Sequence, residues 1–152
     1  MSMKTLLPSQ VAAIVGVIDP DLNTAGTVTT GWIAAADFAS FMAIVMAGAL
    51  GSGATLDAKI EQATDAAGAG VKDLDGAAIT QLSQADGDND KQAVIELFQE
   101  DLDIANDYTH FRVSMTIASA SSDSAVVVLA MPPRYGPASG SNLSTVDEIV
   151  AA

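Results

Sequence analysis

The chain has 152 residues, with nineteen acidic against six basic side chains, a formal net charge of -13, one histidine and no cysteine. That length suits one domain with a core of its own. The charge excludes a phosphate-binding footprint, which needs clustered Lys and Arg, and the absent cysteines exclude disulfides, thiolate zinc sites and thiol nucleophiles.

Hydrophobic residues make up 49% of the chain but aromatics only 5%, so the core is expected to be lean and aliphatic. Near the start, Pro8-Ser9-Gln10 separates Lys4 from the apolar run Val11 to Ile18. Asp19-Pro20-Asp21 then stands where small residues would mark a cleavage site, so no signal peptide is expected. The same Asp19-Pro20 closes the first run. Thr27 to Ile33 alternates with β-branched residues. Ile33 to Leu50 is apolar over nearly a bilayer's thickness, yet Asp37 and Ser40 interrupt it. No Lys or Arg lies between Lys4 and Lys59 to anchor a span, so a soluble segment is expected.

Phe38 to Leu50 is a long run of buried type, closed by Gly51-Ser52-Gly53. Thr55 to Gln62 alternates polar and apolar residues, and Ala66 to Gly70 reads as a turn. Val71 to Leu82 follows, then the polar loop Asp86-Gly87-Asp88-Asn89-Asp90. In Ala93 to Leu102, Ile95 and Leu97 face one way, Glu96 and Phe98 the other. The clearest two-residue period is His110 to Ile117, where Phe111, Val113, Met115 and Ile117 alternate with His110, Arg112, Ser114 and Thr116. After a turn at Ser119 to Asp123, Ala125 to Met131 is a continuous apolar run suited to a strand buried on both faces.

These short runs with polar turns between them predict a mainly β fold, an antiparallel β-sandwich or jelly roll. Extended N- and C-terminal arms and room for one short helix complete the expectation. A helical alternative stays open at two places: Leu56, Ile60, Ala63 and Ala67 fit a 3.6-residue period, as do Phe38, Phe41, Met42, Val45 and Met46. The expected division is an arm at 1–10, a sandwich at 11–131 and a second arm at 132–152. In that second arm Pro132-Pro133 is expected to end the last strand. Tyr135, Leu143, Val146, Ile149 and Val150 are spaced through polar sequence as anchors on neighbouring subunits, and the arm is expected to add little to the fold of the isolated domain.

Candidate chemistry is sparse. Asp86, Asp88 and Asp90 echo the start of a calcium loop, but the glycine falls at Gly87 and Glu96 is misplaced for the closing ligand, so a solvated turn is expected and no metal. Asp101, Asp103 and Asp107 offer paired carboxylates for glycoside hydrolysis, a site that also needs an aromatic cleft, and Trp32, Tyr108 and Tyr135 are the only Trp and Tyr present. His110, the single histidine, sits on the polar side of its strand without the glycine-flanked serine a triad needs. No catalytic residue, metal or cofactor is expected.

The stretch from Gly53 to Gly68, with Val71-Lys72-Asp73-Leu74 and Ala78-Ile79-Thr80-Gln81-Leu82, resembles small structural proteins of tailed bacteriophages. Tyr108 to Thr116, Ser119 to Leu129 and Arg134-Tyr135-Gly136-Pro137 are similar to the final hairpin and exit arm of that group. The resemblance covers residues 36–139 and leaves the first 35 unmatched. It implies a non-enzymatic β-sandwich virion component, a head decoration or cement protein. The partners so implied are the major capsid protein and copies of itself, in a symmetric assembly without nucleic acid or membrane. The charge fits a place on the outer capsid surface, away from packaged DNA. Two rival readings are a tail, receptor- or carbohydrate-binding sandwich and an enzyme built on the acidic clusters.

Overall fold

The computed structural model describes residues 6–151, which form two antiparallel sheets. The strands are β1 (Ala13–Asn23), β2 (Gly26–Thr29), β3 (Ile33–Ala34), β4 (Phe38–Ala47) and β5 (Thr55–Ala63). They continue with β6 (Lys72–Ala78), β7 (Leu82–Ser83), β8 (Gln92–Phe98), β9 (His110–Ala118) and β10 (Ser122–Pro133). One sheet has the order β1-β10-β4-β8. The other has β2-β9-β5-β6, with β3 also pairing β9 and β7 also pairing β5. Taking β2 with β3 and β6 with β7 as interrupted single strands leaves eight. The first lies beside the last, and successive strands pass from sheet to sheet except at β5 and β6–β7, which are neighbours in one sheet; this is the winding of a jelly roll.

The segments open to a helical reading are strands β4 and β5. Their β-branched and alternating residues find sheet partners on both sides, so tertiary pairing overrides the local 3.6-residue period. A single helical turn, α1 (Pro8–Val11), precedes β1, with the Leu7 N–H donating to Gln10 Oε1 at 2.8 Å. Residues 1–5 of the expected N-terminal arm lie outside the described residues.

Three boundaries differ from expectation. β1 runs through Asp19-Pro20 to Asn23, because it is an edge strand and a register irregularity between Ile18 and Asp21 absorbs the proline. β2 stops at Thr29. Buried Thr30 then turns its hydroxyl inward to accept the Val113 N–H at 3.0 Å, while its own N–H donates to Val113 O. β10 continues past Met131, and Pro133 still pairs with Phe38 at the end of the sheet.

The core lies between the inner faces. Phe41 of β4 meets Phe111 of β9 edge-on at 4.7 Å across the sandwich. Val45, Val126 and Val128 from one sheet and Leu56, Ile60, Val113, Met115 and Ile117 from the other are buried around them. At the loop closing β4, Gly51 lies so close to the 119–122 turn that a Cβ there would meet Ser121 O at 2.4 Å.

The first half of the tail packs on this sandwich. Ala138, in a 3-10 turn, is fully buried. Asn142 Oδ1 accepts the Ile14 N–H at 2.7 Å, and the Leu143 N–H donates to Ile14 O at 2.9 Å. An edge strand leaves backbone groups unpaired, and the tail satisfies them.

Candidate functional site

Residues directly opposite in an antiparallel ladder project from the same face. On the four-stranded sheet this places Val17, Val127, Ile44 and Val94 in one row across all four strands, pointing away from the core. The next row is Ile14, Leu129, Met42 and Glu96. Beyond these lie Ala125 with Met46 and Gln92 on one side, and Met131 with Ser40 and Phe98 on the other. Most of these side chains remain partly accessible, and Val94 and Phe98 on the edge strand are 53% and 59% exposed. Glu96 is the one ionisable side chain within the four rows.

Two shallow clefts bracket this face. One, of about 290 Å³, is lined by Met46 and Ala125 together with Asp90 and Asp123. The other, of about 370 Å³, is lined by Met42, Phe98 and Met131 together with Glu96 and Asp101.

The outer face of the second sheet is polar. Thr27, Thr116 and Asp57 form one row, with the two threonine hydroxyls 2.8 Å apart. Thr29, Ser114 and Lys59 form the next, and Arg112 lies opposite Glu61, its Nε donating to Glu61 Oε2 at 2.7 Å. Lys59 also donates to Asp73 at 2.7 Å, which with its carboxylate neighbours raises the lysine above its ordinary pKa.

The aromatic rings on that side are occupied. The Arg112 guanidinium lies over Trp32 at 4.5 Å, and Gly68 packs so closely that a Cβ there would strike the indole. Lys72 lies over the Tyr108 ring at 4.2 Å, while the Tyr108 hydroxyl donates to Gly70 O at 2.7 Å. Both rings therefore serve to pin the 64–70 loop. Asp65 Oδ1 accepts the N–H groups of Ala67 and Ala69 in that loop, which lowers its pKa.

The acidic motifs are turned to local structure. Asp86 accepts from the Ser83 hydroxyl, and Asp88 accepts the Ser83 N–H and pairs with Lys91 at 2.9 Å. The backbone bond, then the lysine, holds Asp88 below the usual carboxylate range. Asp101 caps the turn after β8 by accepting the Phe98 N–H at 2.7 Å. Asp103 pairs with Lys72 and accepts from Asn106, and these lower its pKa in that order. Asp107 ends the following 3-10 turn in the left-handed region at φ 63°. Among the described residues, no group of three or more carboxylates or imidazoles is placed to hold a metal. His110 lies on the polar face, its Nδ1 2.8 Å from the Thr109 hydroxyl.

The expected anchors divide in two. Leu143, whose N–H donates to Ile14 O of β1, and Val146 are half-buried, whereas Tyr135 and Val150 are 78% and 81% exposed and Ile149 is exposed beside Val150. Ile149 and Val150 share a small cleft with Leu7 and Pro8, so the two ends of the described chain meet. Sequence reasoning did not assign the apolar sheet face. Its signal was present in Phe38 to Leu50 and Ala125 to Met131, apolar at both parities where one sandwich buries only one.

No family model matches the chain, and no curated protein matches it. Among solved structures, it is similar to a chain of the Cowpea Mosaic Virus empty virus-like particle, with a TM-score of 0.50 at 9% identity over 87% of each chain. It is also similar to a chain of infectious bursal disease virus, Gt strain, with a TM-score of 0.44 at 13% identity, over 84% of this chain and 33% of that one. A xylan-binding module gives a TM-score of 0.32 at 11% identity, over 76% of this chain and 95% of that one. The likeness is one of fold. Jelly rolls serve viral shells and lectins alike, so function is argued from the surfaces described above.

Proposed function

We propose that the chain is a non-enzymatic structural protein of a virion, a decoration or cement protein seated on the outer surface of major capsid subunits. The observation that carries this reading is the four-strand apolar row Val17, Val127, Ile44 and Val94 on an outer face. A contiguous apolar patch on an otherwise acidic surface marks an interaction site. The exposed Tyr135, Ile149 and Val150 supply further contacts, to capsid subunits or to copies of the same chain. A net charge of -13 opposes contact with packaged DNA and favours the outside of the shell. Sugar binding through Trp32 and Tyr108 is disfavoured because cationic side chains already lie over their rings.

Electron cryo-microscopy of intact particles tests the proposal. The expected result is density for this sandwich on the exterior of the head. A position in the tail, or inside the shell, refutes the decoration role.

A further inference from the structure

The apolar sheet face has a charge pattern that selects its occupant. Five of the six cationic side chains are described, and four of them are committed within the chain: Lys59 to Asp73 and Glu61, Lys72 to Asp103, Lys91 to Asp88, Arg112 to Glu61. The fifth, Arg134, donates to Gln99 at 3.1 Å. None of these pairs reaches the carboxylates lining the two clefts: Asp90 and Asp123 at one end of the face, Glu96 and Asp101 at the other. Among the described residues, the face is therefore an apolar centre between two acidic rims that no salt bridge neutralises. Each rim sits over a cleft with methionine and other apolar side chains in its lining, which suits the aliphatic stem of a Lys or Arg as well as its charged head.

From this we infer, building on the virion reading, that the face docks a protein surface whose apolar patch is flanked by Lys or Arg, and not a second copy of this chain. A second copy would bring acid to acid across the contact and add another -13 of charge. Complementary charge at a rim steers encounter and rejects wrong partners, whereas like charge is repelled. Copies of the chain remain free to touch through the exposed tail.

The test uses the full chain and particles assembled without it, with co-sedimentation from 50 mM to 500 mM NaCl and sedimentation velocity of the free chain. The expected results are a monomer in low salt and particle binding that weakens as salt rises. Combined Glu96→Lys and Asp123→Lys substitutions should cut that binding at least tenfold and flatten its salt dependence. Val94→Asp should reduce binding while leaving the melting temperature unchanged, which separates docking from folding. The inference is overturned if charge reversal leaves binding intact or if salt tightens it. It is also overturned if the free chain dimerises in low salt and Val94→Asp abolishes the dimer. In those cases the virion reading stands. Failure of the folded wild-type chain to bind particles at any salt sinks the virion reading itself.

Discussion

The two outer faces of the sandwich share one pleat and differ in chemistry. From Thr55 to Glu61 on β5 and from His110 to Thr116 on β9, each outward position is polar or charged, and neighbours are matched as Thr27 with Thr116 or Arg112 with Glu61. On β4 and β10 the central outward positions Met42, Ile44, Met46, Val127, Leu129 and Met131 are aliphatic or thioether, with polar Ser40 and Asp123 toward the strand ends. Water explains the first face, since paired polar groups lose nothing by exposure. The second leaves several large apolar side chains without cover, at about 25 cal/mol for each Å² a partner would bury. The contrast teaches that strict alternation marks a finished surface and a doubly apolar strand an unfinished one.

The contrast can be broken hardest from the inside. Val113→Asp on the inner face places an unpaired carboxylate in the core at a cost of several kcal/mol, enough to prevent folding. Circular dichroism of the purified variant should show no cooperative melt, and a native-like melt would mean the inner and outer faces of β9 are misassigned. Thr30→Val is milder. It keeps the shape but strands the Val113 N–H in the core, for a loss of about 1–3 kcal/mol by denaturant titration.

Acid titration sharpens the polar side. Asp103 is held below the ordinary aspartate value of 3.8 by Lys72 and Asn106, so its contribution to stability is complete above that value and disappears as pH falls through the lower folded one. The melting-temperature gap between wild type and Asp103→Asn should be open at neutral pH and close below about pH 3.8. A gap that persists in strong acid would assign the effect to packing. The smallest effect belongs to the apolar face, where Val94→Asp should shift stability by no more than about 0.5 kcal/mol. A large loss would show that Val94 is held by the fold and not reserved for a partner.

Much of the architecture was legible in local pattern. His110 to Ile117 announced β9 because one side of that strand meets the core and the other meets water. β4 was ambiguous, since a strand apolar on both faces loses the two-residue period that separates it from a buried helix. The run of β1 through Pro20 was illegible because proline is tolerated there only by virtue of the edge position, a property of the assembled sheet. The packing of the tail was illegible for a similar reason: Asn142 is held by Ile14, 128 residues away in sequence, and the burial of Ala138 exists only in the assembled fold. The candidate face needed registers between four strands, which no single run of residues reveals.

Trp32, the only tryptophan, lies under Arg112 on the polar side, with the apolar face on the opposite sheet. Its emission therefore senses the integrity of the sandwich from the side away from docking. Unfolding should move the indole into water and shift its fluorescence, while a partner seated on Ile44 and Val127 leaves the spectrum in place. The molecule carries an optical reporter that separates denaturation from association without any added label.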